Sequence, residues 1–448
     1  MMKLFRRIAM VIVIIRAGAG LAQDAAARME ELVQSYVTAK QFMGSVLVSQ
    51  QGKILLSKGY GSANLEWEIP NSPSTKFRLA SVTKQFTAAS ILLLEERGKL
   101  KVEDPVKKYM ADAPAAWDKI TIFHLLTHTS GIPNFTSFPD YRSTRATPAT
   151  PESLVARFRN KPLEFQPGEK WNYSNSGYVL LGYLIEKISG QSYAEFVLQN
   201  IFNPLGMKDS GYDSNSAIIA HRAAGYTPAV KGPVNAGFVH TTIPFSAGAL
   251  YSTTEDLLKW EQGLFGGKVL SSASLEKMTA PFKRDYAFGL EVSTNHGYKV
   301  IEHDGGTEGF NTQLSYYPDD KLVVAVLGNL NGRFPSEIAA KLGDIVHGVK
   351  LVPILERKEI TVSPKVLADY VGTYDYPVPG VSMAITLEEN HLMAQVTGQQ
   401  KFTLFAESET SFFVKLVDAQ IDFVKNPQGQ VTHLVLHQDG RDVKITRK

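Results

Sequence analysis

The sequence contains no cysteine, no uninterrupted apolar run long enough to cross a bilayer, and no concentrated stretch of basic residues. Without cysteine there is no disulfide, no thiol nucleophile and no thiolate-bound zinc. A membrane-spanning helix needs about 18 or more consecutive apolar residues, so we expect no stable membrane anchor. Nucleic-acid binders usually carry a basic stripe or tail, whereas Lys and Arg here alternate with Asp and Glu. We therefore expect no nucleic-acid partner.

The composition is that of an ordinary globular protein. Of the 448 residues, 44% are hydrophobic and 20% are charged, which is enough apolar material for a sizeable core. The length exceeds that of a usual single domain and favours one large domain with a smaller one.

The first 22 residues have the pattern of an export signal. Lys3, Arg6 and Arg7 precede an apolar run at 8–15, and small residues close the segment. An N-terminal membrane-associated helix is the alternative. Four basic and no acidic residues lie in this segment, so its removal changes the formal charge from +3 to 3 − 4 = −1. We expect cleavage and a periplasmic or secreted protein.

The body of the chain alternates between strand and helix patterns. Two short apolar runs at 44–59 predict a hairpin, and apolar periodicity predicts helices at 81–97, 176–189 and 254–264, strands at 300–303, 313–317 and 322–327, and a helix at 335–347. Strands at both ends with helices between them predict an α+β (α/β) body whose sheet joins both ends of the segment.

The residue composition changes around residues 350–363, where prolines flank a charged cluster. Beyond it, residues 370–448 show about eight short alternating segments separated by turn signals, which is typical of a small all-β sandwich or barrel. The predicted domains are therefore a signal peptide at 1–22, a large domain at 23–355 and a β domain at 356–448. The β domain is interpreted as a structural cap or as a binding module of its own.

The strongest chemical motif is S-x-x-K at Ser81 and Lys84, which opens a predicted helix. At that spacing the hydroxyl and the ammonium lie on one face of the helix, whose free amides and positive end favour an oxyanion. A serine is a strong nucleophile only when a base removes its proton, and a desolvated lysine can help. A simple N-cap is the alternative for Ser81. A second copy, at Ser274 and Lys277, lies on a polar helix and is interpreted as a solvated face.

Two further motifs follow in the order and approximate spacing of a three-part pattern: Y-x-N at Tyr173 and Asn175, and H-x-G at His303 and Gly305. With the flanking stretches 123–133, 167–178 and 246–257, they resemble the serine β-lactamase-like, penicillin-recognising superfamily. The branch that they resemble holds class C β-lactamases, D-amino-acid peptidases and family VIII carboxylesterases. The resemblance spans roughly residues 28–348, and the tail from residue 370 resembles a lipocalin-like domain.

This resemblance implies an antiparallel sheet flanked by helices, with an all-α region, and it implies roles for individual residues. Ser81 would be the nucleophile, Lys84 its activator and Tyr173 the general base, because an ammonium nearby favours phenolate. Asn175 would orient Lys84 and the substrate, and the amides of Ser81 and Gly306 would form the oxyanion hole. A buried aromatic is the alternative for Tyr173, and an ordinary Asx turn is the alternative for Asn175.

His303 stands where related enzymes carry the lysine of K-T-G. A histidine has a pKa near 6.5 and is mostly neutral at pH 7, so it offers no permanent cation to a substrate carboxylate. This difference weakens the expectation of efficient penicillin binding. The alternative for His303 is a hydrogen-bonded strand residue.

Other patterns are interpreted as structural. His124 and His128 are four residues apart, but no acidic partner completes a zinc motif, so packing is expected. The glycine-rich stretch at 305–309 lacks the G-K-[ST] of a phosphate loop and predicts a tight turn beside the active site. The G-x-S-x-G elbow of α/β-hydrolases is absent from the sequence.

The sequence thus predicts a serine hydrolase that cleaves an ester or amide bond of a small molecule or peptide, without a cofactor or metal. Esterase, D-amino-acid peptidase and β-lactamase activities stay open, as does the oligomeric state. A non-catalytic sensor of peptidoglycan fragments or β-lactams is the alternative from another class.

Overall fold

A computed structural model of the chain describes residues 25–229, 231–349, 359–378, 380–397, 401–414, 419–438 and 441–448. Two compact units make up the chain, an N-terminal unit at Met1–Leu351 and a C-terminal unit at Val352–Lys448. The predicted signal peptide and the predicted domain boundary at 355 and 356 lie outside the described residues, and both remain predictions.

The helices are 25–38 (α1), Thr83–Glu96 (α2), Ile122–Leu126 (α3), Tyr141–Thr144 (α4), Pro151–Arg159 (α5), Asn175–Ser189 (α6), Tyr193–Val197 (α7), Asn203–Leu205 (α8), Phe245–Gly248 (α9), Thr254–Phe265 (α10), Ser272–Thr279 (α11), Phe334–Val346 (α12) and Pro364–Ala368 (α13). Short 3-10 turns lie at Ala80–Val82, Val106–Lys108, Ala115–Trp117 and Phe135–Ser137, and a π turn lies at Leu198–Phe202. Across the described residues, no helix combines the length and the apolarity that a membrane crossing requires.

The strands are Gly44–Gln50 (β1), Lys53–Tyr60 (β2), Ser62–Asn64 (β3), Ile69–Pro70 (β4), Phe77–Arg78 (β5), Gly211–Tyr212 (β6), Tyr226–Thr227 (β7), Val234–Asn235 (β8), Leu250–Ser252 (β9), Glu291–Asn295 (β10), Tyr298–Thr307 (β11), Phe310–Tyr317 (β12), Leu322–Gly328 (β13), Gly372–Asp375 (β14), Ser382–Glu388 (β15), His391–Val396 (β16), Lys401–Ala406 (β17), Ser411–Val414 (β18), Ala419–Lys425 (β19), Val431–Gln438 (β20) and Arg441–Arg447 (β21).

The N-terminal unit is built on a six-stranded antiparallel sheet with the order β10-β11-β12-β13-β1-β2. The first strand of the unit pairs with its last, with Val46 opposite Val326. This confirms the prediction that the sheet joins both ends of the segment. The predicted hairpin also forms, because Gln51 and Gly52 have the positive φ angles, 51° and 83°, that a tight turn between β1 and β2 requires.

Alternating side chains give this sheet an apolar core on each face. Leu47 and Ala325 lie in the larger core, with the buried side chains of α2 and α6. Val48 and Val324, one residue further along each strand, lie in the second core, against α1 and α12. Successive residues of a strand point to opposite faces, so the uninterrupted apolar run of β13 is what a strand buried on both sides needs.

Helix α2 is the centre of the helical part of the N-terminal unit. Its residues 83–94 are all buried, and it packs against α6 and α9. Gly98, with φ of 67°, follows its end and takes the left-handed conformation common after a helix. A helix enclosed on all sides cannot shift without repacking the core, so its first turn is a rigid support for side chains that project from it.

The C-terminal unit is an eight-stranded closed barrel that runs from β14 to β21. Pairing of Tyr374 in β14 with Arg447 in β21 closes it. Its core has its own aromatic cluster, in which the rings of Tyr370 and Phe423 are stacked at 4.2 Å. The predicted small β domain is therefore a barrel and not a sandwich.

Candidate active site

Ser81 lies in the 3-10 turn Ala80–Val82, which leads directly into α2. Ala80 has φ of 47°, a left-handed conformation that costs a residue with a side chain about 1–2 kcal/mol. The Leu79 carbonyl accepts a hydrogen bond of 2.9 Å from the Thr312 hydroxyl of β12. A strained turn tied to the sheet thus presents Ser81.

Lys84 lies one turn further along and is completely buried. Its Nζ is 3.0 Å from Ser81 Oγ, 2.9 Å from Asn175 Oδ1 and 2.9 Å from the Ala247 carbonyl oxygen. Burial lowers the pKa of Lys84 to about 7, although the negative charge of Asp304 opposes this change. The neutral amine is therefore available near neutral pH.

The surroundings of Lys84 match a neutral amine. A neutral amine has two N–H donors and one lone pair, and the oxygens of Asn175 and Ala247 can only accept. With both donors used on these oxygens, the lone pair is left for the Ser81 hydroxyl. The geometry can hold the serine proton between Ser81 and Lys84.

Asn175 begins α6 and is fixed by its neighbours. Its backbone N–H donates to Asn134 Oδ1 at 3.1 Å, and its Nδ2 donates to Thr136 Oγ1 at 3.2 Å. These bonds set which end of the amide faces Lys84. The orienting role expected of Asn175 stays a prediction, and the structure provides the contact that this role needs.

The Tyr173 hydroxyl donates a hydrogen bond of 2.8 Å to Ser81 Oγ. Burial is the largest influence on Tyr173 and raises its pKa above the ordinary value, while the bond to Ser81 partly opposes this rise. Tyr173 is therefore a protonated donor in the resting site, and the phenolate that the sequence interpretation invoked is not favoured. Its role as general base stays a prediction.

His303 lies in β11 with 1% of its surface exposed. Its Nδ1 is 2.6 Å from the Asp304 carbonyl oxygen and its Nε2 is 3.0 Å from the Tyr286 hydroxyl. Burial lowers the pKa of His303 to about 4, so the ring is neutral. Because a carbonyl only accepts, the proton lies on Nδ1, and Nε2 accepts from Tyr286.

The two glycines after Asp304 bring β11 up to the nucleophile turn. A Cβ atom at Gly305 would overlap the Leu79 carbonyl oxygen and would lie 3.1 Å from the Ser81 amide nitrogen. Gly306 lines the same cavity as Ser81. Both residues expected to form the oxyanion hole therefore border one space, and the role of their amides stays a prediction.

This cavity has a volume of about 500 Å³. Part of its lining is apolar, from Phe135, Tyr141 and Pro244, and part is polar, from Glu308 and Asn311. A space of this size takes a small molecule or a short peptide segment.

His128 belongs to an aromatic cluster beside Tyr173. The centre of its ring lies 4.4 Å from that of Tyr173 and 4.6 Å from that of Tyr286. Its Nδ1 accepts from the Ser174 backbone N–H at 3.2 Å, and burial lowers its pKa well below the ordinary value. His128 therefore supports the wall behind Tyr173.

The remaining motifs have structural roles. His124 accepts the Thr121 backbone N–H at 3.2 Å and caps α3. Within the described residues, no group of three or more His, Asp or Glu side chains could hold a metal ion. In the second S-x-x-K copy, the Lys277 side chain is 46% exposed and pairs with Glu95, whereas Ser274 is buried, so the interpretation as a solvated face is right for the lysine and wrong for the serine. The glycine-rich stretch forms the tight turn between β11 and β12.

The sequence did not single out Tyr286, Thr136 or the carbonyl of Ala247. Ala247 lies within the flanking stretch 246–257, so the resemblance gave a weak signal for it. Tyr286 lies in a loop and Thr136 in the 3-10 turn Phe135–Ser137, neither of which carries a motif, and both reach the site only through folding.

Comparison with known proteins agrees with this geometry. Residues 29–346 match the family described as Beta-lactamase, and residues 356–447 match a domain of unknown function (DUF3471). A penicillin-binding protein of Bacillus subtilis (strain 168) is 30% identical over 454 residues, which cover 95% of this chain and 99% of that protein.

Solved structures are similar as well. The octameric penicillin-binding protein homologue from Pyrococcus abyssi has 26% identity and a TM-score of 0.66, and the match covers 94% of this chain and 99% of that one. The D-amino acid amidase from Ochrobactrum anthropi SV3 has 23% identity and a TM-score of 0.66, over 73% of this chain and 100% of its own. At that identity the amidase is evidence of the fold alone.

Proposed function

Because this chain belongs to the beta-lactamase family, we propose that it cleaves ester or amide bonds through a covalent acyl-enzyme on Ser81. It has the serine β-lactamase-like α/β fold followed by an eight-stranded closed barrel, as the sequence predicted, and it is a serine hydrolase of the β-lactamase and penicillin-binding-protein superfamily. The kind of bond and the residues' roles are the proposal.

The observation that carries the proposal is the hydrogen-bond pattern around Ser81 Oγ. The Lys84 lone pair takes the Ser81 proton while Oγ bonds to the substrate carbonyl carbon. The amides of Ser81 and Gly306 stabilise the resulting oxyanion. The bond to the leaving group then breaks, and that group takes up the proton that Lys84 removed from Ser81, directly or by way of the Tyr173 hydroxyl, which Lys84 reprotonates. Water then attacks the acyl carbon and gives a proton to the Lys84 amine. The acid leaves as its bond to Ser81 Oγ breaks, and Oγ takes this proton from Lys84, which restores the hydroxyl.

Within this class, the buried neutral His303 supports an ester or amide without a carboxylate over a β-lactam. The carboxylate of a β-lactam calls for a cation, and His303 provides none near pH 7.

The test compares kcat/KM for a short-chain activated ester, an amino-acid p-nitroanilide and a chromogenic cephalosporin. Ser81→Ala is expected to lower each measurable rate by at least about 10³-fold while thermal unfolding stays that of a folded protein. Ser274→Ala, in the second S-x-x-K copy, is the matched control and should keep the wild-type rates. Full activity in purified Ser81→Ala would sink the proposal. Stoichiometric acylation without turnover would instead support a sensor.

We also propose export, on the basic and apolar pattern of the first 22 residues. Expression of the full chain in a bacterium, followed by fractionation and N-terminal sequencing, should give a shortened protein outside the cytoplasm. A full-length cytoplasmic product would contradict it.

A further inference from the structure

Glu308 provides the one charged side chain among the described residues that line the Ser81 cavity. It lies in the turn between β11 and β12, two residues after Gly306. Its side chain is 24% exposed, so the carboxylate remains accessible. A charge in the wall of the cavity that holds the nucleophile affects which substrates bind.

The surroundings of Glu308 hold its carboxylate in place. Arg145 forms an ion pair with Oε1, and the Thr307 hydroxyl donates to Oε2 at 3.2 Å. Arg145 is held in turn by its backbone carbonyl, which accepts the His240 N–H at 2.9 Å. A carboxylate has about four acceptor positions, so Glu308 can still accept from a ligand.

Arg145 itself does not line the cavity in the described part of the chain. A Cβ atom at Gly237 would lie 2.9 Å from the Arg145 guanidinium, so this guanidinium lies against the backbone of that segment. The wall of the cavity therefore presents the Glu308 carboxylate as an acceptor, and the Arg145 guanidinium lies behind that carboxylate. Such an acceptor favours a cationic donor over a carboxylate.

Asn311 adds a fixed donor to the same wall. Its Oδ1 accepts from Asn331 Nδ2 at 2.9 Å and from the Gly332 N–H at 3.1 Å, which sets the orientation of the amide. Its Nδ2 lies 3.2 Å from the position that a Cβ of Gly306 would occupy. A substrate carbonyl oxygen placed beside Gly306 would therefore lie close to the Asn311 Nδ2 donor.

We propose that the Ser81 site is selective for aminoacyl substrates with a free ammonium group, which Glu308 binds, while Asn311 donates to the acyl carbonyl. This inference rests on the proposed function and names its substrate class. An α-ammonium is two bonds from the reacting carbonyl carbon, and Glu308 lines the same cavity as Ser81 and Gly306, beside which that carbonyl would lie. We therefore assign the ammonium to the acyl side of the bond.

The kinetic test uses the full chain with alanine p-nitroanilide, as both enantiomers, and propionic acid p-nitroanilide, which lacks only the ammonium. The wild type should have a higher kcat/KM for the faster of the two alanine enantiomers than for the propionyl substrate. Glu308→Gln should lower this kcat/KM ratio of alanyl to propionyl substrate about tenfold or more. Arg145→Gln removes the positive charge that pairs with the Glu308 carboxylate, so the kcat/KM ratio of alanyl to propionyl substrate should stay the same or rise. Glu195→Gln, an exposed carboxylate that caps α7, is the matched control.

A purely structural role of the Arg145–Glu308 pair would lower both rates equally in both variants and would overturn the proposal. An unchanged ratio in Glu308→Gln would also overturn it. A second experiment measures recognition without turnover, by calorimetry of alaninamide binding to Ser81→Ala. This binding should be lost in the double variant that also carries Glu308→Gln. Such binding in an enzyme that hydrolyses no substrate would sink the proposed function and keep this inference.

Discussion

The Tyr286 hydroxyl lies 3.0 Å from Nε2 of His303 and occupies the free side of its ring. The other ring nitrogen is bonded to a backbone carbonyl, so both polar atoms of this buried side chain are satisfied. His303 is therefore a fixed, neutral part of the wall behind Tyr173.

Removal of this hydroxyl by Tyr286→Phe should leave Nε2 of His303 buried without a partner. The expected loss in the free energy of unfolding is about 1–3 kcal/mol, measured by urea denaturation. The matched control is Tyr183→Phe, because the Tyr183 hydroxyl has no hydrogen-bond partner among the described residues. Its effect should stay within about 0.5 kcal/mol. Equal losses in the two variants would show that the bond to His303 contributes nothing.

The pH dependence of kcat/KM should follow Lys84. If neutral Lys84 accepts the Ser81 proton, activity is full above its pKa of about 7 and falls as pH drops through that value. His303, with a pKa of about 4, and protonated Tyr173 add no inflection near neutrality.

A pH series from 5 to 9 on an activated ester checks this assignment. Tyr173→Phe should lower the rate but keep the acidic limb, whereas Lys84→Arg cannot deprotonate and should lose activity at every pH. Survival of the limb in Lys84→Arg would assign it to another group.

The buried Asp213 carboxylate is a second position at which a substitution should strongly lower the free energy of unfolding. Its side chain is 2% exposed and lies between Arg78 and Arg222, each at 2.7 Å. Asp213→Ala leaves two partly buried guanidinium groups without their carboxylate and should cost about 3–5 kcal/mol in urea denaturation.

The control for this change is Asp112→Ala, because Asp112 pairs with Arg159 but is 70% exposed. That loss should stay below about 1 kcal/mol. A small effect at Asp213 would mean that water replaces its carboxylate.

The two units should fold separately. The apolar cores of the N-terminal unit lie within residues 29–345, and the core of the barrel begins at Val362. A chain ending at residue 355 should therefore unfold cooperatively on heating and retain Ser81-dependent hydrolysis. A truncated chain with no cooperative transition, as judged by calorimetry, would contradict this.

The sequence determined the element pattern and the nucleophile turn. Apolar periodicity is a local property, so α2, α6, α12 and the strands of the sheet other than β10 could be predicted. Regular turns predicted a small all-β domain, but the choice of a barrel over a sandwich came from the tertiary structure. The S-x-x-K spacing brings Ser81 and Lys84 together through a single helical turn.

Only the tertiary structure decided the protonation of the site and the nature of its walls. The pKa values of Lys84, Tyr173 and His303 follow from burial, which depends on segments far away in the chain. The contacts of Tyr286 with His303 and of Glu308 with Arg145 likewise join residues 17 and 163 positions apart, and no local pattern predicts either pair. A sequence specifies which groups are present, but long-range packing sets how far each is removed from water, and that distance from water determines their chemistry.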